Sequence, residues 1–183
     1  MLAVVAVAPY SDKRFWKELT NGLAPFFSVL HTHHSRLAVP RGKAELLVAD
    51  SCTFESIESD LALLIFKDTE QFSLETVKAK QIVAVVDSRN AQLVSFVSST
   101  KLPAITCGLS PRDTITLSSI AVDSAVINLQ RTVTCFDGSV VEPQEIPLKI
   151  GSEIDNYTLM ALASVFIMSG NIQKLLNIQF LKI

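Results

Sequence analysis

Residues 2–23 read Leu-Ala-Val-Val-Ala-Val-Ala-Pro-Tyr-Ser-Asp-Lys-Arg-Phe-Trp-Lys-Glu-Leu-Thr-Asn-Gly-Leu. The stretch divides at Pro9. Leu2–Ala8 is a continuous run of small and β-branched apolar residues, the pattern of a strand covered on both faces. Asp12–Leu23 carries Phe15, Trp16, Leu19 and Leu23 at helical spacing, with Ser11 as the candidate N-cap and Pro25 as the stop. A buried strand that runs into an amphipathic helix is the repeating unit of a parallel α/β sheet.

The unit recurs downstream. Further apolar runs at Phe26–Leu30, Leu46–Ala49, Leu61–Phe66, Ile82–Val86 and Ala104–Cys107 read as strands two to six. Glu55–Ser59, Leu74–Lys80 and Ala91–Ser99 carry helical patterns between them. Because the strand runs are continuous and not alternating, the expected fold class is α/β, with a doubly wound, mostly parallel sheet. The pattern then changes. Residues 114–150 alternate polar and apolar positions, and Asp137-Gly138 is a two-residue hairpin signal between Thr132–Phe136 and Ser139–Glu142. This block is expected to form a small antiparallel sheet appended to the parallel one, its last strand at an edge because of Pro143 and Pro147. A helix from about Ile154 to Ser169, closed by Gly170, and a shorter one over Ile172–Leu181 complete the chain. The division is thus one domain over 1–183: a parallel part (1–110), an antiparallel part (114–150) and C-terminal helices (152–183).

Composition narrows the function classes. The chain has 183 residues, 49% of them hydrophobic and 19% charged, with a formal net charge of −2. Its mean hydropathy of +0.37 raises the question of a membrane span. The longest uncharged stretch, Asn156–Gln173, is too short and too polar for one. The Leu2–Pro9 run lacks the basic flank and cleavage site of a signal peptide, so a cytoplasmic location is expected. A pI near 5.9 with dispersed charges gives no basic face for nucleic acid, the densest basic pair being Lys78 and Lys80. Cys52, Cys107 and Cys135 are far apart and lack C-x-x-C spacing, so reduced, buried thiols are expected and not a zinc site.

Ligands of a parallel sheet sit outside the carboxyl ends of its strands. The turn after the first strand, Ala8–Arg14, holds no glycine, and a phosphate-cradling loop needs them. Two readings fit it: a capped helix start with solvated basic residues, or an anion site using Ser11, Lys13 and the helix dipole. Asp50 and Glu70, at the ends of the third and fourth strands, can share a Mg²⁺ ion, or they can cap helices and face water. His31, His33 and His34 fit a solvated loop or a transition-metal site. No G-x-S-x-G elbow, zincin motif or Cys–His pair supports a hydrolase.

In this order the pieces resemble the central, ATP-binding domain of the Mur ligase family, whose group includes the folylpolyglutamate synthetases. The resemblance spans nearly the whole chain. Pro103-Ala104-Ile105-Thr106-Cys107-Gly108-Leu109 is similar to the family's hydrophobic–Thr–x–Gly strand. Pro147-Leu148-Lys149-Ile150-Gly151 is similar to its entry to a long helix, Met160-Ala161-Leu162-Ala163 to its Ala-rich helix, and Leu47-Val48-Ala49-Asp50 to the strand ending in a metal-binding Glu. The resemblance implies a P-loop-like fold and a reaction that joins an amino acid or peptide to a carboxylate through an acyl-phosphate.

The same register shows departures. The family's Gly-Thr-x-Gly-Lys-Thr/Ser turn falls on Pro9–Arg14, where Lys13 keeps the lysine, both glycines are missing, and Arg14 replaces the metal-binding hydroxyl. The Thr-Asn-x-x-x-Asp-His segment falls on Ile65–Gln71 and retains a carboxylate at Glu70. Asp50 stands for the metal-binding Glu. Lys78 and Lys80 both compete for the carbamylated lysine. Ile154-Asp155 stands where the family has His-Asn, and the flanking domains have no counterpart.

Phosphoryl transfer rests on positioning and electrostatic stabilisation, which these departures remove. The expectation is therefore a degenerate, standalone Mur-ligase-like protein, not an enzyme, with a binding, scaffolding or regulatory role connected to cell-wall synthesis. No cofactor is expected on this reading. The alternative is a divergent ATP-dependent carboxylate–amine ligase or nucleotide-binding enzyme. It would use Lys13, Asp50 and Glu70 with ATP and Mg²⁺, and a partner chain would supply the missing domains. A third is a structural subunit. The expected partner is another protein or a second copy, docked through an apolar surface, with neither nucleic acid nor a membrane span involved.

Overall fold

The computed structural model describes residues 1–9, 11–33, 36–38, 42–51, 54–67, 72–151 and 153–177. Strand β1 (Leu2–Val7) is buried at every position. It lies between β4 (Leu46–Asp50) and β5 (Ile57–Phe66), parallel to both. The sheet extends on one side through β2 (Val29–His33) and β3 (Arg36–Ala38). On the other it extends through β6 (Val77–Asp87), β7 (Ala104–Gly108), β8 (Ile115–Ile120), β9 (Ser124–Leu129) and β12 (Gln144–Lys149). The complete order is β12-β9-β8-β7-β6-β5-β1-β4-β2-β3, ten strands. From β8 to β2 neighbours pair in parallel. Antiparallel pairing is confined to β2–β3, β8–β9 and β9–β12.

The antiparallel block is appended as expected, and its attachment is now defined. Strand β8 continues the parallel sheet, and β9 and β12 turn back on it. The Asp137-Gly138 turn joins a separate two-stranded sheet, β10 (Val133–Thr134) and β11 (Val140–Val141). Strand β12, which carries Pro147, is the outer edge.

Four helices and one 3-10 turn complete the described elements. Helix α1 (Lys13–Leu23) begins at Asp12, whose carboxylate accepts the Phe15 N–H at 3.0 Å. Asp12, not Ser11, is therefore the N-cap. Helix α2 (Ala91–Thr100) is capped by Asn90, α3 (Asn156–Met168) by Asp155, and α4 (Ile172–Leu176) follows Asn171. Gly170 closes α3 at φ +70°, and Asn171 donates back to the Phe166 carbonyl at 2.8 Å.

Two layers cover the sheet. Helices α1, α3 and α4 and the small hairpin share one core with Val4, Ala6, Leu63 and Ile65. Helix α2, with Phe54, Phe72 and Leu74, covers the Val5, Leu64 and Phe66 face. Helix α3 is buried from Tyr157 through Met168. A helix apolar on all sides is a core helix, and this one accounts for part of the high hydropathy. No helix among the described residues is long and apolar enough to cross a membrane.

Three local readings change. Glu55–Ser59 is not helical, because β5 begins at Ile57. Leu74–Lys80 is a 3-10 turn (Leu74–Thr76) followed by β6. Across these segments Ile57 faces Val77 and Glu58 faces Lys78, and this long-range pairing overrides a weak helical pattern. The second strand starts at Val29, not Phe26, because Phe26 and Phe27 turn back on α1 through the Leu23 carbonyl. Their rings meet Phe166 at 5.6 and 5.0 Å. Cys107 and Cys135 are buried free thiols, and Cys52 lies outside the described residues.

Candidate functional site

The chain order places a switch at β1: its successors β2 and β4 lie to one side, β5 and β6 to the other. Ligands of open α/β sheets bind in the crevice at such a point, outside the strand ends. Here the crevice lies between the ends of β1 and β5 and the starts of α1 and α3. The Lys67 N–H bonds the Val7 carbonyl at 2.7 Å, so β5 is held against β1 up to its end.

Lys67 is the central charge. Its ammonium meets the Asp155 carboxylate at 2.9 Å. It also lies 5.4 Å from the centre of the Phe15 ring and 5.6 Å from that of Tyr157. The Asp155 oxygen that receives it also accepts the Thr158 N–H at 3.0 Å and the Thr158 hydroxyl at 2.9 Å. Burial pushes the Asp155 carboxyl up, but the hydrogen bonds from Lys67 and Thr158 outweigh it and hold the group below its ordinary range. Tyr157 is buried beside this pair, and its hydroxyl faces the carbonyls of Phe66 and Val85 at 2.8 and 2.9 Å. Burial drives its pKa well upward, so it remains a neutral donor.

Two further charge groups rim the crevice. Arg89 clamps Asp87 with Nε at 3.0 Å and a terminal nitrogen at 2.7 Å. Burial raises the Asp87 carboxyl and Arg89 more than offsets it, so the group titrates below its ordinary range. Arg14 pairs with Glu18 and donates to the Glu153 carbonyl at 3.2 Å, which ties the starts of α1 and α3 together.

The residues expected from sequence distribute unevenly over this geometry. Ser11 and Lys13 lie on the exposed turn into α1, where the Lys13 N–H bonds the Ser11 carbonyl at 2.9 Å. Asp50 ends β4 in register with Ala6 and is only 1% exposed. Glu70 and Tyr10 lie outside the described residues. His31 sits on β2 opposite Ala38, and His34 is outside the described residues. Lys67, Tyr157 and the ion-paired role of Asp155 escape a reading of the sequence. Lys67 and Asp155 are 88 positions apart, and neither belongs to a local motif.

Comparison with solved structures fixes the architecture. A MurF ligase from Thermotoga maritima, solved in complex with ADP, superposes with a TM-score of 0.56 at 17% identity, over 96% of this chain and 48% of that one. The fold is that of the Mur ligase central domain. The UDP-N-acetylmuramate:L-alanyl-gamma-D-glutamyl-meso-diaminopimelate ligase from Neisseria meningitides matches at TM-score 0.56 and 12% identity, over 97% of this chain and 65% of its own. The UDP-N-acetylmuramoylalanyl-D-glutamyl-2,6-diaminopimelate–D-alanyl-D-alanyl ligase from Acinetobacter baumannii matches at TM-score 0.59 and 11% identity, over 97% and 46%. The chain therefore spans about half to two thirds of the length of these Mur ligases. No protein-family model matches the sequence. No curated protein matches it either.

Proposed function

We propose that this chain uses the Mur ligase central-domain fold as a binding or scaffolding module, without the ATP-dependent chemistry of the ligases it resembles. The observation that carries this reading is the start of α1. A nucleotide phosphate needs inward-turned backbone N–H groups and an absence of competing negative charge. Here the Asp12 carboxylate takes the Phe15 N–H, and the Ser11 carbonyl takes that of Lys13. Lys67, which follows β5 at the crevice, is already paired with Asp155. On this reading the turn into α1 holds neither ATP nor Mg²⁺. Titration calorimetry with ATP and Mg²⁺ tests the reading: no saturable heat is expected, and a micromolar Kd overturns it.

One observation favours a second reading, a divergent ligase or nucleotide-binding enzyme completed by a partner chain. Asp50 is a buried carboxylate at the end of β4, and the resemblance in sequence matches it to the family's metal-binding Glu. With Lys13 and Glu70 it would form the metal and phosphate site. ATP binding that is lost in Lys13→Ala and in Asp50→Asn would establish this reading and remove the first. Likeness to ligases of muramoyl peptides motivates a connection to cell-wall synthesis, with another protein of that process as the partner. Co-purification with such a ligase is the expected result.

A further inference from the structure

A cavity of about 210 Å³ opens at the end of the sheet opposite the crevice, where β1 and β4 begin and α3 ends. Phe27, Phe136, Leu46 and Leu61 wall it, and Glu45 and Asp137 supply carboxylates. On one wall the chain itself shows what such a pairing holds. The Lys174 ammonium lies 4.3 Å from the centre of the Phe27 ring and 3.3 Å from Glu45. The other wall also carries a ring and a carboxylate, those of Phe136 and Asp137. Among the described ion pairs, none involves Asp137.

Asp137 is fixed in place as an anion. One carboxylate oxygen accepts the Ser139 N–H at 2.9 Å and the Ser139 hydroxyl at 2.6 Å. These bonds hold its pKa below the ordinary range. The other oxygen stands where Gly170 omits a side chain, against the carboxyl end of α3. The negative end of a helix dipole disfavours a carboxylate and favours a cation beside it. A fixed anion in that field, next to an aromatic wall, matches a ligand with a positive head and an apolar body.

We propose that this cavity binds a small organic cation, a primary ammonium carried on an aromatic or short aliphatic body. The ammonium pairs with Asp137 and the body packs against Phe136 and Leu61. The site lies apart from the crevice, and the proposal does not depend on the reading given for it.

Benzylamine at neutral pH and its uncharged counterpart benzyl alcohol are the probes, with backbone amide shifts of the labelled full chain as the readout. Benzylamine is expected to give saturable shifts concentrated at Leu2, Leu46, Asp137, Ser169 and Asn171. Asp137→Asn should weaken it about tenfold, as loss of a charged hydrogen-bond acceptor does. Phe136→Leu, which leaves the Asp137 turn intact, should weaken it separately if the first variant loosens the hairpin. Equal binding of benzyl alcohol overturns the proposal. So do scattered or unsaturable shifts, or affinities unchanged in both variants.

Discussion

Replacing Tyr157 by Phe tests how α3 is fastened to the sheet beneath the crevice. The Tyr157 side chain is buried, at 2% exposure, and its hydroxyl faces the Phe66 and Val85 carbonyls at 2.8 and 2.9 Å. One proton serves two acceptors at the ends of β5 and β6. The Phe variant keeps the ring and its packing and leaves both carbonyls without that donor. Loss of a buried hydrogen bond with stranded acceptors costs about 1–3 kcal/mol. For a chain of this size each kcal/mol moves Tm by roughly 2–4 °C, so a fall of about 2–12 °C is expected.

Tyr157→Leu removes the ring as well. It also deletes the face near the Lys67 ammonium, a contact with centroid distance 5.6 Å, and leaves a void. Cation–π loss and imperfect repacking add roughly 1–3 kcal/mol. Calorimetric or denaturant unfolding of the wild type and the two variants gives the two steps separately. Hydrogen exchange at the Lys67 amide, bonded to the Val7 carbonyl, should accelerate in both. A Phe variant with unchanged Tm would refute the assignment of the hydroxyl as the fastening, and a Leu variant equal to the Phe variant would refute the role of the ring.

Three other perturbations probe neighbouring parts of the frame. Gly108→Ala places a methyl group against the Ser88 hydroxyl and the Asp113 carboxylate, and Asp113 is only 3% exposed, so a loss of about 1–3 kcal/mol is expected in urea unfolding; a neutral result means that the loop relaxes freely. At the α1–α3 contact, Gly22→Ala sets a methyl 2.7 and 2.9 Å from the Leu162 methyl groups. Its gain in helix propensity of about 1 kcal/mol should be cancelled by crowding of about 1–3 kcal/mol, and Leu162→Ala in the same chain should restore the gain; strict additivity of the two changes would remove the proposed contact. Asp155→Asn addresses pH. The carboxyl pKa is lowered in the fold, so its stabilisation is complete above the unfolded value of about 3.9 and disappears as pH falls through the folded one. The stability difference between wild type and Asp155→Asn should shrink below about pH 4, and a difference that does not change with pH contradicts the assigned ion pair.

Legibility followed burial. The β1 segment stands out because it is buried at every position, which leaves nothing but apolar letters to read, and β4 departs from apolar letters only at its terminal Asp50. The starts of β5 and β6 are not legible as strands in the sequence, because their identity lies in each other. Lys78 meets Glu58 at 3.1 Å and Lys80 meets Asp60 at 2.7 Å, twenty positions away, so each segment alone looks like a charged helix. Ser11 and Asp12 both suit the cap of α1, and only the backbone turn selects Asp12. In the crevice, Asp50 is legible as the terminal letter of an apolar run. Lys67 is not, because its role exists only once Asp155 arrives from the far end of the chain.

The absence of a glycine turn has a physical counterpart at the site. Two helices begin at the crevice, and the Arg14 bond to the Glu153 carbonyl shows that their starts are adjacent. Each helix start carries partial positive charge that an anion stabilises. A bound phosphate could provide that anion. Here each helix provides its own, Asp12 for α1 and Asp155 for α3, and Lys67 joins the second to β5. On the proposed binding-module reading, these carboxylates take the place of a bound anion. Pro9→Gly would leave Asp12 capping α1 and Asp155 joined to Lys67, so on this reading that change alone is not expected to create nucleotide binding.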